Sequence, residues 1–234
     1  MIGQKISIKK GSKDEAEKPF WISFADLMTA LMVLFLVVMG VALLAVTKTV
    51  TEREKAEAQR RDDIERIMRR FVDASEKYEG IQVDIDRRVI DFGDRARFPF
   101  GKSSLSPEQE QVLRQFVPEI LTLSNDDLGK RILKRIVVEG YTDRKGTYLS
   151  NLNLSLQRSQ RVLCAMFATS GPNLLSDSQK EDVRTLFLVG GYSFNAAKAT
   201  DEESRRVEMR LEFLGLGERR ADVDADGNFG RCAL

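Results

Sequence analysis

The run FWISFADLMTALMVLFLVVM, residues 20–39, constrains this chain more than any other stretch. From Phe20 to Val46 the only strongly polar side chains are Ser23, Asp26 and Thr29. As one helix these residues reach roughly 40 Å, more than the hydrocarbon thickness of a bilayer, so they predict a single transmembrane helix over 20–46. The apolar run is about twice the length of a signal-peptide core and no small-residue cleavage site follows it promptly, which predicts a retained anchor. Asp26 then needs an explanation, because a charge at membrane depth costs at least about 2.5 kcal/mol. Two readings follow. Asp26 lies in a polar seam lined by protein, where it takes up and releases protons, or it sits at the headgroups and snorkels. Ser23, Asp26 and Thr29 recur every third residue and so share one drifting stripe, which fits a seam with Ser23 and Thr29 as its polar support.

Lysines do not orient the helix. Lys5, Lys9, Lys10, Lys13 and Lys18 on one side are matched by Lys48, Arg53, Lys55, Arg60, Arg61 and Arg66 on the other, so the positive-inside rule gives no vote. The whole chain carries 37 basic and 36 acidic residues, which argues against a dedicated nucleic-acid binder. It has no histidine, which removes histidine-based triads, HExxH metal sites and imidazole proton shuttles. Its two cysteines, Cys164 and Cys232, are too few for a zinc site. Outside the cytoplasm they form a candidate disulfide that pins the C-terminal tail; otherwise Cys164 packs as a small apolar residue. No cofactor is expected, and the single metal candidate is the tail DVDADGNFGRCAL. There Asp222, Asp224, Asp226 and Gly227 imitate a calcium loop, but its twelfth position is Ala233 where a bidentate glutamate belongs, so a solvated acidic turn is the alternative.

Composition divides the chain into a polar tail (1–19), the membrane helix (20–46), a Glu/Arg/Lys/Ala-rich helical connector (47–80), a mixed domain (81–215) and a C-terminal tail (216–234). In the connector, Ile64, Ile67, Met68, Phe71 and Val72 make an amphipathic stripe that pairs with a second copy or belongs to a lone spacer. In the domain, residues 87–92, 135–140, 185–191 and 206–215 read as strands. Ser106, Pro107 and Gln109 open a helix that Pro118 should bend or end, and residues 150–171 read as a helix closed by Gly171. The fold class is therefore one N-terminal transmembrane helix and a helical connector, then an α/β domain of one mixed sheet with helices on a face.

WISFADLMTALMVLFLVVM resembles the transmembrane helix of MotB-type stator subunits, whose aspartate in an ADxxT context carries protons. FPFGKSSLSPE, IVVEGYTDRKGTYLSNLNLSLQRSQRV and SRRVEMRLE resemble, in order and spacing, the signatures of the OmpA-like peptidoglycan-binding domain over roughly residues 85–214. The wording FWISFADLMTALMVLFLVVMG is closer still to the ZorB subunits of Zorya anti-phage systems, with flagellar MotB as the alternative. That resemblance implies a proton-carrying Asp26, a homodimer of this chain inside a pentamer of a multi-span ZorA-like partner, and an inner-membrane location. It also implies a cytoplasmic N-terminus and a periplasmic domain, which supplies the orientation that lysines do not. It implies a binding and energy-converting protein rather than an enzyme; a passive wall tether is the competing reading. The peptidoglycan-binding residues it implies are Thr142, Asp143, Asn151, Leu152, Leu154, Ser155, Arg158 and Arg205. Asp143 and Arg158 are expected to hold the diaminopimelate of a stem peptide, or else to pair with each other. Tyr141 and Ser204 depart from the usual histidine and asparagine of these motifs.

Overall fold

The computed structural model describes the backbone of residues 14–221, 227–230 and 232, with side chains from Trp21 on except Ile22. The calcium candidates Asp222, Asp224 and Asp226 lie outside the described residues, as do Lys5, Lys9, Lys10 and Lys13. The chain divides into two compact units, Met1–Ala56 and Glu57–Leu234.

In the first unit the described residues belong to α1 (Asp14–Ser75), the one described helix long and apolar enough to cross a membrane. Its large apolar side chains from Phe24 to Val50 are exposed. The Thr29 hydroxyl turns back on its own helix and donates to the Asp26 carbonyl at 2.8 Å.

The second unit holds the last turns of α1 and a five-stranded mixed sheet ordered β1 (Gln82–Asp84), β2 (Val89–Asp91), β5 (Val207–Phe213), β3 (Leu133–Gly140) and β4 (Phe187–Gly191). All neighbours are antiparallel except β3 and β4. Side chains alternate across the strands. Ile90, Ile136, Val138, Val207, Met209 and Leu211 enter the apolar core, whereas Glu139, Glu208 and Arg210 lie on the other face. Helices α2 (Pro107–Asn125), α3 (Asp127–Ile132), α4 (Tyr148–Met166) and α5 (Asp177–Leu186) add to the core together with the end of α1, and α6 (Asp201–Ser204) precedes β5.

Three expectations change. The stripe of Ile64, Ile67, Met68 and Phe71 is buried in this domain's own core, so it is not left open for a second copy, and Val72 is half-buried beside it. The domain thus begins at Glu57, inside the segment assigned to a connector. Of the bend or end expected at Pro118, the end does not occur: Ile120 and Leu121 beyond it are buried, and that burial outweighs one lost backbone hydrogen bond. α4 stops at Met166 rather than Gly171, because the exposed Thr169 and Ser170 that follow have nothing to bury. Cys164 on α4 and Cys232 are joined by a disulfide, with Cα atoms 5.8 Å apart.

Phe71 is fully buried, so Phe71→Ala should lower the unfolding free energy of the second unit by about 3–5 kcal/mol in a denaturant titration. A stripe that only met a partner copy would leave the monomer's stability unchanged.

Candidate functional site

The site forms where β3 leaves the sheet. After Gly140 the chain continues through Tyr141, Thr142 and Asp143, then turns at Gly146, whose φ of +96° suits a residue without a side chain. Lys145 N–H donates to Asp143 Oδ1 at 3.1 Å and Asn151 Nδ2 donates to the Lys145 carbonyl at 2.9 Å, which fixes the loop. Thr147 then caps α4. On that helix Asn151, Leu154 and Arg158 follow the i, i+3, i+7 spacing of one face.

Those three, with Thr142, Asp143 and Arg205, line a pocket of about 180 Å³. Phe100, Gly101, Lys145 and Ser150 complete its wall. Phe100, 63% exposed with the Lys145 ammonium 5.9 Å from its ring centre, was not singled out from sequence although FPFGKSS carries it between a proline and a glycine. Leu152 and Ser155 do not line the pocket. Each sits a helical rotation away; Ser155 Oγ accepts from Ser193 N–H at 3.0 Å and donates to the Leu152 carbonyl, so it fastens α4 to the end of β4.

Asp143 and Arg158 do not pair with each other. Asp143 is buried and accepts from Arg205 Nη1 at 3.0 Å, and Arg205 also donates to Glu202 at 2.8 Å and to the Phe98 carbonyl at 3.1 Å. Burial alone would lower the Arg205 pKa, but hydrogen bonds to Asp143 and Glu202 hold it above its ordinary value. Arg205 reaches Asp143 first because it lies at the end of α6, where β5 begins beside the loop.

Arg158 is 0% exposed, and its donors go to backbone carbonyls: Tyr141 at 2.7 Å, Lys102 at 2.9 Å and Pro99 at 3.4 Å. Its guanidinium also lies 5.0 Å from the Phe98 ring centre. Burial pulls its pKa down to about 10, against an upward pull from Asp143, so it remains a cation at neutral pH. Beside it, the buried Thr142 Oγ1 has no hydrogen-bond partner among the described residues. A carbonyl-held guanidinium and an unused hydroxyl at one pocket suit an incoming carboxylate. The departures at Tyr141 and Ser204 are both accommodated. The Tyr141 hydroxyl donates to Glu139 at 2.7 Å, and Ser204 Oγ accepts from Lys198 N–H at 2.9 Å and donates to the Thr200 carbonyl at 2.8 Å.

A single apolar helix followed by a domain of this topology defines a membrane-anchored OmpA-type protein. Residues 97–210 match the OmpA family, and residues 4–51 match the family described as the membrane MotB of the proton-channel complex MotA/MotB. The Zorya protein ZorB of Escherichia coli O139:H28 is 45% identical over 227 residues, covering 96% of this chain and 92% of that protein. A second Zorya protein ZorB, from Escherichia coli Crooks, is 24% identical over 226 residues, 88% of this chain and 93% of the other. Among solved structures, the OmpA-like domain of FopA1 from Francisella tularensis is 18% identical with a TM-score of 0.37, covering 58% of this chain and 83% of that one. The chain belongs to the ZorB family.

Replacing Arg205 by Ala leaves Asp143 charged and buried, so the domain should lose about 3 kcal/mol of stability in chemical denaturation at neutral pH. A loss below about 1 kcal/mol would mean that solvent already screens the pair.

Proposed function

We propose that this chain is a proton-conducting, stator-like subunit of the bacterial inner membrane that holds peptidoglycan and works in anti-phage defence with a multi-span, ZorA-like partner. Two copies stand inside a pentamer of that partner, with the N-terminus cytoplasmic and the domain periplasmic. The 45% identity to a Zorya protein ZorB supports the system, and the MotB match over residues 4–51 supports the stator assignment. The Cys164–Cys232 disulfide favours an oxidising compartment, in keeping with a periplasmic domain.

The observation that carries wall binding is Arg158, a fully buried cation that meets carbonyls rather than a carboxylate, beside the unpartnered Thr142 hydroxyl. In this reading Arg158 takes the side-chain carboxylate of a diaminopimelate residue. Asp143 faces its ammonium with lone pairs left over from Arg205 and Lys145, and Asn151 and Leu154 shape the wall. The chain binds the stem peptide without cutting it, so it is not an enzyme and needs no cofactor. Arg158→Ala should lower the thermal melt, because three carbonyls lose their donor, and should abolish retention of the full chain on purified sacculi at a temperature where the variant is still folded. Undiminished retention would move wall binding away from this pocket.

The proton path rests on Asp26, whose neighbours on the apolar helix expose Leu27, Met28 and Leu31. Such a carboxylate is tolerable at membrane depth only against protein or water, which calls for a partner there. Asp26 then cycles between charged and neutral forms, driven by about 2.3 kcal/mol per charge per 100 mV, while the wall-held domain provides the fixed point. Ser23 lies on the same stripe; Thr29 shapes it through its bond to the Asp26 carbonyl. Asp26→Asn in the native operon should abolish protection in a phage plating assay with membrane levels unchanged. Full protection in that variant would leave a passive tether.

A further inference from the structure

Among the three carbonyls that receive Arg158, two, those of Pro99 and Lys102, belong to the loop that carries the exposed Phe100. The third belongs to Tyr141, and it alone connects the guanidinium to the sheet. Tyr141 is fastened on every side. Its N–H donates to the Arg206 carbonyl at 2.9 Å, continuing the pairing of β3 with β5 by one residue. Its hydroxyl donates to Glu139 Oε2 at 2.7 Å, and Glu139 is forked by Arg210 at 2.6 and 2.9 Å. The Arg206 guanidinium lies 4.3 Å from its ring centre, and the Tyr192 ring lies 5.5 Å away. The aromatic ring is therefore pinned among the charged side chains of the sheet's non-core face, while the carbonyl of the same residue meets Arg158 on the pocket side.

We propose that Tyr141 is a positioning residue for carboxylate recognition: its pinned ring sets the carbonyl that aims Arg158 into the pocket. This rests on the wall-binding reading given above. Misplacing a charge-assisted hydrogen bond by a fraction of an ångström weakens that bond alone, so the loss should be selective for ligands that bear the carboxylate.

Two soluble stem tripeptides read this directly, one with diaminopimelate in third place and one with lysine there, which lacks the side-chain carboxylate. Titrated against the full chain in detergent, the native protein should prefer the diaminopimelate peptide by about tenfold or more, the weight of one charge-assisted hydrogen bond. Tyr141→Leu should bring that preference down to the level of Arg158→Ala while affinity for the lysine peptide stays within about twofold. Tyr141→Phe, which keeps the ring beside Arg206, should restore most of the preference. A Tyr141→Leu protein that keeps the full preference overturns the proposal, because the backbone pairing to Arg206 would then suffice. Should Tyr141→Leu fail to fold, Tyr141→Met carries the test: it fills the space with a flexible chain and leaves no ring to pin, and an unchanged preference is equally fatal. A native protein without any preference, or an Arg158→Ala protein that keeps it, sinks the wall-binding assignment itself and the positioning role with it.

Discussion

The seating of α4 on β3 and β4 through bare backbone is the contact on which the pocket depends. A Cβ built on Gly140 would stand 1.9 Å from the Ser155 carbonyl oxygen, and one built on Gly191 would stand 2.8 Å from the Leu156 nitrogen. No side chain fits between helix and sheet there, so the height of α4 is fixed by backbone meeting backbone. Ser155 is small enough to lie in the contact and adds a hydrogen bond from Ser193. With the height fixed, the helical repeat does the rest: Asn151, Leu154 and Arg158 fall on the side that meets the loop leaving β3. Any larger residue at position 140 would lift the helix and withdraw Arg158 from its carbonyls.

Charge placement divides the domain into two regimes. On the non-core face of the sheet the buried carboxylates are each answered by arginine: Glu139 by Arg210, and Glu208 by Arg206 and Arg87. Hydrogen bonding to Glu139 holds the Arg210 pKa above its ordinary value, and burial with the Glu139 bond pushes the Tyr141 phenol upward, so neither group titrates near neutral pH. These pairs close on themselves and serve the fold. At the pocket the balance is different, since Arg158 is satisfied by dipoles and an aromatic face while the nearby carboxylate, Asp143, is taken by Arg205. A buried cation without a hydrogen-bonded carboxylate is costly unless something else answers it. The carbonyls reduce that cost without cancelling the positive potential, which leaves the site attractive to an anion.

Much of this was legible in the sequence, and the misses have physical causes. The membrane helix announces itself by length and hydropathy, and the main strands by runs of β-branched and apolar residues. The pocket residues Thr142, Asp143, Asn151, Leu154, Arg158 and Arg205 come together, whereas Leu152 and Ser155 do not, because a linear motif does not distinguish a pocket-facing residue from one that sets the helix seat. The pairing of Asp143 with Arg205 was not legible either, since it joins positions 62 residues apart and depends on α6 delivering Arg205 to the loop. The stripe on α1 was correctly apolar, but periodicity says only that a face is buried and not against what. α5 was missed despite its capping box at Ser176 and Gln179, a local signal that stood in plain view.

The burial of Ile64, Ile67, Met68 and Phe71 also bears on how a wall anchor would work in the proposed reading. A flexible linker ending at residue 80 would let the domain hold peptidoglycan while the chain before it swung freely, and a fixed point that swings transmits little torque. Here the chain enters the domain as a helix whose apolar stripe is locked into the same core that backs β3. A pull on the pocket would travel from Arg158 and Tyr141 into β3, from β3 into that core, and so to the entering helix, each step crossing close-packed side chains of low compressibility.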